Sequence, residues 1–540
     1  CYAIIFLNCH QAKKSYQEWN VYGGQDNIHY SALNQIDTNN VNGLKVAWEF
    51  HTGDMDTASH SQIQCNPLVV DGVIYAVSPK MKLIALDAAT GKKIWDFNPL
   101  DSMRAMKINS VLNNCRGVSY WTDGSSDKRI YYTAGSFLFA VDANTGKSIA
   151  SFGKQGKIDL HDGLDRDVKD LFVTATTPPG VYKNLLILGT RVDEGPAAAP
   201  GHIRAYDTRT GEQKWIFHTI PHPGEFGYES WDDTAAYKHI GGANPWSGVT
   251  VDQELGIVFA ATGSASFDFY GGKRIGNNLF ADCILALDAN SGKRIWHFQD
   301  VHHDVWDKDF SSPPALVTVM DSGKKIPAIA LTTKTGFIYL FERQSGRPIY
   351  PISEETVPTE TELVGEKLSP TQPFPSSPKP FVRQTFTLND INRYLPDSSY
   401  EDVKKKLSSY KNGNMFNPPS LAGTVILPGF DGGGEWGGPA YDPETGTLYV
   451  NANEMPWVLT IVPLKQNADK QETFPLAGER LYKINCMACH GPDRTGSANI
   501  PSLVHIEKKY KVDSFYTLIS SGRRMMPAFK QLSDQEKQAI

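Results

Sequence analysis

The sequence predicts a β-propeller followed by a small α-helical domain. The first observation behind this prediction is a pattern of about eleven residues that occurs five times. The second is a change beyond residue 473, where strand-like alternation of apolar residues gives way to helical spacing. The copies of the repeated pattern begin at Leu83, Leu138, Ile203, Ile284 and Phe337.

Each copy is a short strand ending in Asp or an equivalent, a Thr-Gly or Ser-Gly turn, and then Lys and often Trp, as in 83–95. A hairpin of this kind cannot bury its own faces. Radial stacking of four-stranded sheets buries them and leaves only short edges. We therefore expect each Trp to dock between neighbouring blades. Five copies disfavour the alternative, a β-sandwich with coincidental turns.

Other segments fit the same scheme or interrupt it. Two further strand–turn–strand signals occupy 251–259 and 441–449, and the first strands are expected within 19–48. Between about 351 and 420 the pattern stops and prolines become frequent, which predicts a rigid surface insertion beside the mouth of the propeller. Within it, the capping pattern of 399–402 predicts the start of a short helix.

Composition excludes several classes of protein. The 540 residues are 40% hydrophobic and 21% charged, a globular balance that excludes general disorder. A net charge of −6 without runs of Lys or Arg makes nucleic acid an unexpected partner. No apolar stretch reaches the roughly 18–20 residues that span a bilayer.

Residues 1–18 resemble the end of a secretory leader and its tether. An apolar run ends at Cys9 and polar residues follow, as at a lipoprotein processing site with Cys9 lipidated. This predicts a protein in the periplasm or on the outer face of a bacterial membrane, held there peripherally by a lipid anchor. A frayed apolar N-terminus is the alternative. Because the first residue is Cys1, we expect the chain to begin inside a longer reading frame.

A polar linker is predicted at 463–473, and a cytochrome c domain at 474–540 that is truncated within its closing helix. Cys486, Cys489 and His490 form a C-x-x-C-H motif, whose spacing lets two thiols bind haem covalently while the imidazole ligates iron. Met526 is the candidate for the sixth iron ligand, with Met525 as its alternative. A thioredoxin-like pair or half a zinc site would not explain the His and the downstream Met-Pro.

Five motifs of the propeller resemble pyrroloquinoline quinone (PQQ) dehydrogenases of the glucose-dehydrogenase-like branch. The resemblance covers about residues 19–460, so the propeller domain is taken as 19–462. It implies an eight-bladed propeller with PQQ and a divalent cation on its axis. The motifs are Ile63-Gln-Cys-Asn-Pro-Leu68, Cys115-Arg-Gly-Val-Ser-Tyr120, Gly201-His-Ile-Arg-Ala-Tyr-Asp207, Val301-His-His-Asp-Val-Trp-Asp-Lys-Asp309 and Gly434-Glu-Trp-Gly-Gly438.

The resemblance also implies roles for individual residues. Asp307 matches the catalytic aspartate, a base for the hydroxyl proton of the substrate. Lys334 matches the cation beside the quinone oxygens, where positive charge stabilises the reduced anion. Trp246 matches the indole that stacks on PQQ, Arg116 matches a partner of a PQQ carboxylate, and Trp436 is a further cofactor-binding residue.

The same resemblance implies a metal site. Asp193 and Glu194 match the acidic ligand region, and Ca²⁺ prefers such oxygen ligands. Ser264 stands where relatives often have Asn, so a weaker hydroxyl ligand is expected there, with Asp307 completing the set. The spacing of Asp307 and Asp309 occurs in lanthanide-using relatives and in calcium or magnesium sugar dehydrogenases.

These expectations combine into one functional prediction. The chain is expected to oxidise a sugar or an alcohol with PQQ and to pass electrons to haem c and then to an external cytochrome or respiratory chain. One alternative is a non-catalytic propeller scaffold with an electron-transfer domain; another is an alcohol rather than a sugar dehydrogenase. Cys65 and Cys115 fall in cofactor motifs, either as free thiols or as a disulfide.

Overall fold

The computed structural model describes residues 14–55, 61–101, 114–464, 472–496, 500–523, 526, 528–530 and 532–540. The predicted leader with Cys9, the alternative iron ligand Met525 and most of the predicted linker lie outside the described residues. Domain boundaries and truncation therefore stay predictions.

The propeller prediction is confirmed as a mostly antiparallel β fold in which four sheets have four strands each in the order of a blade. In each of them, neighbouring strands pair antiparallel. These strands are β1 Leu68–Val70, β2 Val73–Val77, β3 Leu83–Asp87 and β4 Lys93–Phe97; β5 Ser119–Thr122, β6 Lys128–Ala134, β7 Phe137–Asp142 and β8 Lys157–Asp159; β10 Gly180–Tyr182, β11 Leu185–Leu188, β13 Ile203–Asp207 and β14 Gln213–Phe217; and β15 Val249–Asp252, β16 Ile257–Ala261, β17 Cys283–Asp288 and β18 Arg294–Gln299.

The remaining strands form one three-stranded sheet and several two-stranded sheets. The predicted hairpins at 251–259 and 441–449 are both present, as β15–β16 and β25–β26. The expected count of eight blades stays a prediction. The remaining strands are β9 Val173–Thr174, β12 Arg191–Val192, β19 Ala315–Asp321, β20 Lys324–Thr332, β21 Ile338–Glu342, β22 Ile352–Thr356, β23 Thr371–Pro375, β24 Thr424–Ile426, β25 Ala440–Asp442, β26 Thr447–Tyr449 and β27 Trp457–Leu459.

The recurrent tryptophans dock between blades as predicted. Trp95 on β4 covers the turn glycine Gly146 of the next sheet so closely that an added Cβ would lie 2.7 Å from the indole. Its Nε1–H donates to the carbonyl of Ala143 at 3.0 Å. The same pair of contacts recurs from one sheet to the next: Trp48 on Gly91 and Ala88, Trp215 on Gly292 and Ala289, and Trp296 on Gly346 and Arg343.

The strands expected within 19–48 are absent, and this prediction was wrong. That segment holds two short 3₁₀ turns and several left-handed residues, including Asp26 and Asn27, which interrupt a regular ladder. Its buried Ile28 packs against the apolar cluster of β19, β20 and β25, and the Ile28 carbonyl accepts the amide of Tyr441 at 2.9 Å. The N-terminal segment is therefore joined to the last sheets of the propeller.

The insertion at 351–420 is more regular than its composition suggested. β22 and β23 form a two-stranded sheet, in which the prolines of β23 are tolerated because both strands are edges. The predicted helix begins at Asp397, two residues before the capping pattern, and its N-cap is Pro396 without a side-chain capping bond. A proline supplies the fixed φ needed at a helix start.

Beyond β27 the elements in the described part of the chain are helices. Leu481, Ile519, Phe529 and Leu532 form their apolar core, with Met526 packed against it. No helix within the described residues has the length and apolar character needed to cross a membrane. Among the described residues, the α-helices with both ends described are Ala236–His239, Asp397–Ser409, Phe474–Asn485, Met487–His490, Val512–Ser521 and Asp534–Ala539, and the 3₁₀ helices are Gln25–Asn27, Val41–Gly43, Tyr228–Ser230, Leu388–Asp390 and Ile506–Lys508.

Candidate active site

Lys334 joins two carboxylates in the interior of the propeller. Its Nζ lies 2.8 Å from Oδ1 of Asp307 and 3.1 Å from Oδ2 of Asp309. The two aspartates follow β18, and Lys334 follows β20, so loops at the ends of two sheets supply the cluster. All three side chains are largely buried, which strengthens their electrostatic interaction relative to a surface pair.

Asp309 has hydrogen-bond partners at both carboxylate oxygens. Oδ1 accepts the backbone amide of Ser264 at 2.7 Å, and Oδ2 accepts Nε1–H of Trp246 at 2.9 Å. Burial would raise the pKa of Asp309, but Lys334 and these hydrogen bonds outweigh it and hold the pKa below its usual value. Asp309 is therefore a fixed carboxylate anion that orients Lys334 and the Trp246 indole.

Asp307 differs from its two neighbouring aspartates because only one of its oxygens has a partner among the described residues. Asp304, by contrast, accepts the amides of Trp306 and Lys308 at 2.9 and 2.7 Å and also the Ser264 hydroxyl. The Asp307 side chain is 16% exposed, against 8% for Asp309. Asp307 is therefore the aspartate that can accept a proton from a bound molecule.

Burial raises the pKa of Asp307 well above its ordinary value; Lys334 opposes this, and the negative charges of Asp309 and Glu194 add to it. The two aspartates in turn raise the pKa of Lys334, against the effect of its burial. Lys334 thus remains a cation, while Asp307 has a higher proton affinity than an exposed carboxylate. These are the properties of a cation that stabilises negative charge beside a general base.

A second group of site residues surrounds Arg116. Its guanidinium lies 4.4 Å from the ring centroid of Trp436 and 5.2 Å from that of Trp246. Arg116 has no carboxylate partner in the described part of the chain; Nη1 donates to the Thr176 hydroxyl at 3.1 Å, and Nε is buried without a partner. A buried guanidinium with an unused donor between two indoles fits a flat, aromatic, anionic ligand, as PQQ is.

The two predicted acidic metal ligands, Asp193 and Glu194, have different surroundings. Asp193 uses Oδ1 to accept the Gly195 amide at 2.7 Å, within its own turn. Glu194 is exposed, and its charge raises the pKa of Asp307 and also that of the buried Asp268. Burial is the main cause of the raised pKa of Asp268. Glu194 is thus the member of the pair that faces the carboxylates.

Ser264, a predicted metal ligand, forms hydrogen bonds with buried carboxylates in this structure. Its hydroxyl donates to Asp304 and lies 3.1 and 3.2 Å from carboxylate oxygens of Asp309 and Asp282. These three contacts commit the hydroxyl to the protein, and metal ligation by Ser264 stays a prediction. The oxygen-rich set of Glu194, Asp268 and Asp307 fits a hard cation.

Sequence reasoning missed several acidic residues near the site, among them Asp268 and Glu366. Asp268 lies only four residues after Ser264, and its proximity to other acidic residues could have been suspected from that spacing. Glu366 lies in the insertion, and its carboxylate accepts the Gly271 amide at 2.6 Å and contacts His303 at the same distance. Nothing in the sequence pairs this glutamate with the His-His-Asp motif, because the pairing depends on how the insertion folds back.

The histidine of the C-x-x-C-H motif is oriented by a backbone carbonyl. Nδ1 of His490 lies 2.9 Å from the carbonyl of Pro501, so its proton belongs on Nδ1 and leaves the Nε2 lone pair for iron. His490 is buried, and Met526 packs partly buried against the helical core. Burial and then the charge of Glu194 raise the pKa of the Cys489 thiol.

Cys65 and Cys115 are free thiols in this structure. Sγ–H of Cys115 donates to the Gly117 carbonyl at 3.0 Å. Burial raises the pKa of Cys115 to about 11, which keeps the thiol protonated and unreactive.

Two families match the chain. "Glucose/ethanol/alcohol dehydrogenase, beta-propeller domain", a PQQ family, matches residues 19–486, and "Cytochrome C oxidase, cbb3-type, subunit III" matches residues 474–540. The propeller match includes every site residue described above except His490, Met526 and Cys489.

Individual relatives agree with the family matches. The quinoprotein glucose dehydrogenase of Gluconobacter oxydans is 33% identical over 474 residues, which cover 83% of this chain and 57% of that protein. The glycerol dehydrogenase large subunit of the same organism is 31% identical over 480 residues, covering 85% and 63%. The chain thus spans about three-fifths of the length of these curated relatives.

The solved structures show the same fold. The quinohemoprotein alcohol dehydrogenase of Comamonas testosteroni is 25% identical and superposes with a TM-score of 0.59, covering 83% of this chain and 59% of that one. A quinohemoprotein alcohol dehydrogenase of Pseudomonas putida HK5 is 23% identical with a TM-score of 0.62, covering 87% and 63%. With its propeller match, its fold and its Lys334-centred site, the chain belongs to the PQQ-dependent β-propeller dehydrogenase family and carries a C-terminal cytochrome c segment.

Proposed function

We propose that the chain is a quinohaemoprotein dehydrogenase, which oxidises a CH–OH group with PQQ and transfers the electrons to a covalently bound haem c. The observation that carries this proposal is the arrangement around Lys334. A buried cation holds one oxygen of Asp307 while the other is free for a substrate hydroxyl, and Arg116 between two indoles offers an unused donor to an anionic cofactor.

The chemistry divides between the chain and the cofactor. When bound, PQQ supplies the acceptor for the hydride that leaves the carbinol carbon. Asp307 takes the hydroxyl proton, so the substrate loses one proton and one hydride and becomes a carbonyl compound. Lys334 remains protonated beside Asp307 and supplies positive charge where negative charge develops. Asp309 holds Lys334 and Trp246 in place through its two hydrogen-bonded oxygens.

Three kinds of residue would hold the cofactors. Arg116 would pair with a carboxylate of PQQ, Trp246 would stack on its ring, and Trp436 would be a further contact. Glu194, Asp307 and Asp268 would offer oxygen ligands to a calcium, magnesium or lanthanide ion, with Asp193 and Ser264 as the further ligands expected from the sequence. Cys486 and Cys489 would bind haem covalently, with His490 and Met526 on its iron.

We further propose a polyhydroxylated substrate, that is, a sugar or polyol rather than a simple alcohol. The relatives at 30% identity or more named here carry the names glucose dehydrogenase and glycerol dehydrogenase, whereas an alcohol dehydrogenase (quinone) of Gluconobacter oxydans is 27% identical. Rates of dye reduction with added PQQ and Ca²⁺, compared over aldoses, polyols and alcohols, test this substrate preference. Faster turnover of ethanol than of every sugar and polyol would refute it.

The location is a proposal as well. We place the protein in the periplasm or on the outer face of a bacterial membrane, anchored by a lipid on Cys9, because an apolar run followed by Cys and polar residues begins the chain. An external cytochrome or a respiratory chain then receives the electrons. Metabolic labelling with a fatty-acid analogue tests the anchor, and Cys9→Ser should abolish the label.

The decisive experiment is substrate-driven haem reduction in Asp307→Asn. The amide keeps the shape but removes proton affinity, so the rate should fall by about 10²–10⁴ at saturating PQQ and metal. Dithionite should still reduce the haem, because this route needs no substrate chemistry. Asp87→Asn, in a blade turn, is the matched control and should leave the rate unchanged. A wild-type rate in Asp307→Asn would make Asp304 the next candidate base.

A further inference from the structure

Three histidines outside the active site converge on one point of the propeller. His202 directly precedes β13, and His218 directly follows β14. Because Ile203 pairs with Phe217 in the ladder, His202 and His218 are the next residues across from each other. His222 returns from the following turn, and its ring stacks on that of His218 with centroids 3.9 Å apart and an angle of 6° between the rings.

The nitrogen atoms of this cluster are close enough for one ion. One ring nitrogen of each histidine lies within 4.8 Å of those of the other two. The His202 ring meets the His218 ring edge-on at 4.9 Å. His202 is buried, and the other two rings are half-buried, so the cluster is sheltered while remaining accessible to a small ion.

Two carboxylates support the cluster from either side of His218. Glu225 Oε1 lies 2.8 Å from Nδ1 of His218, while Glu225 Oε2 accepts the His222 backbone amide at 2.7 Å. Asp165 Oδ2 lies 2.7 Å from the other ring nitrogen, Nε2. A carboxylate on the far nitrogen of a histidine is the usual partner of a metal-binding imidazole, because it fixes the tautomer and raises basicity.

We propose that His202, His218 and His222 bind one divalent transition-metal ion of the zinc class, with Asp165 as the fourth ligand. The ion takes the place of the proton between Nε2 of His218 and Asp165, and Glu225 keeps its contact with Nδ1. Three imidazoles and one carboxylate are a ligand set that suits Zn²⁺, Cu²⁺ or Ni²⁺ and not the oxygen-seeking Ca²⁺ of the active site.

His202 and His222 can both adapt to the ion. Nδ1 of His202 accepts the backbone amide of Thr219 at 3.1 Å and lies 3.4 Å from the Thr219 hydroxyl. When Nε2 binds the metal, Nδ1 carries the proton, and a turn of the ring lets Nδ1–H donate to that hydroxyl instead of accepting from the amide. Among the residues that the structure describes, no hydrogen bond restrains the ring nitrogens of His222, so its ring can turn toward the ion.

The bound ion would fasten the loop after β14 to the start of β13. That start is connected to the cofactor side of the propeller, since the Gly201 amide donates to the Gly242 carbonyl at 2.8 Å, four residues before Trp246. The ion would therefore be structural: it stabilises the folded state without touching the substrate or PQQ.

The test is zinc binding by the haem-loaded, full-length protein in excess Ca²⁺. The haem blocks the cysteines of its motif, and Ca²⁺ occupies the active-site carboxylates, so neither group competes for zinc. Wild-type protein should bind one more zinc ion than His222→Gln. In this variant the zinc affinity should fall at least about tenfold, and Glu225→Gln should weaken binding by about 10–100-fold. Zn²⁺ should also raise the thermal midpoint of the wild type but not that of His222→Gln.

His239→Gln is the matched control, since His239 is exposed and pairs with Asp233 at 2.7 Å within the same region. It should bind zinc like the wild type. Co²⁺ provides a second readout, because a tetrahedral site gives visible absorption bands that His222→Gln should lack. The proposal is overturned if the wild type binds no zinc, or if the wild type, His222→Gln and His239→Gln bind it alike.

Discussion

Nε2 of His303 lies 2.6 Å from Oε1 of Glu366, and both side chains are 1% exposed. This contact joins the His-His-Asp motif to the insertion at 351–420, which was expected only to lie beside the mouth of the propeller. The motif is held again at His302, whose backbone amide and carbonyl both bond to the side chain of Gln372. The insertion therefore holds the segment that carries Asp307.

Glu366→Ala should weaken both the fold and catalysis. Removing one member of a buried pair leaves the other without compensation, which costs about 3–5 kcal/mol of unfolding free energy. Chemical denaturation followed by circular dichroism measures the loss. Glu354→Gln is the control, because Glu354 pairs with His302 in an exposed position, and such pairs contribute about 1 kcal/mol or less. Equal stability of the two variants would contradict the conclusion that the insertion holds the segment carrying Asp307.

Arg116→Ala should weaken PQQ binding by about 2–5 kcal/mol, since a carboxylate would remain buried without its cation. The dissociation constant should rise tenfold or more, as measured by calorimetric titration of PQQ into the metal-loaded protein. Arg209→Ala, which removes an exposed arginine 5.1 Å from the Trp121 ring, should bind PQQ normally. An unchanged affinity in Arg116→Ala would remove Arg116 from the cofactor site.

Met526→Ala should change the ligation of the haem iron without affecting the covalent attachment of the haem. Loss of the thioether opens the sixth position, so the low-spin reduced spectrum and the methionine charge-transfer band should disappear. Haem should stay with the protein through acid–acetone extraction, because Cys486 and Cys489 hold it covalently. A charge-transfer band that persists in Met526→Ala and disappears in Met525→Ala would assign the ligand to Met525.

The raised pKa of the buried Asp300 should make the stability of the fold depend on pH. Burial raises its pKa to about 7, despite hydrogen bonds from Tyr339 and Thr335 that lower it. The folded state therefore binds this proton up to about pH 7, whereas the unfolded chain releases it near pH 4. Stability falls as pH rises between these values. The thermal midpoint of the wild type minus that of Asp300→Asn should decrease from pH 5 to pH 7.5; a constant difference would contradict the raised pKa.

The sequence was most informative where a local pattern repeats. The period of the Thr-Gly turns predicted the hairpins and the inter-blade position of Trp95, because both depend on residues close together in the chain. The repeated pattern did not distinguish Asp304, Asp307 and Asp309, since their different hydrogen bonds come from Ser264, Trp246 and Lys334, which lie in other loops. Glu366 escaped prediction for the same reason.

The contact of Trp95 with Gly146 has a consequence for how this fold can change in evolution. A repeated segment such as 83–95 carries both halves of the joint: a turn glycine that receives the preceding indole and a tryptophan for the following turn. Because the four joints built on Trp48, Trp95, Trp215 and Trp296 use the same pair of parts, one such segment can be duplicated or deleted without redesigning its neighbours. The joint between β8 and β13 shows that the parts can also be exchanged, since Gly211 there faces the backbone of Gly153 in place of an indole.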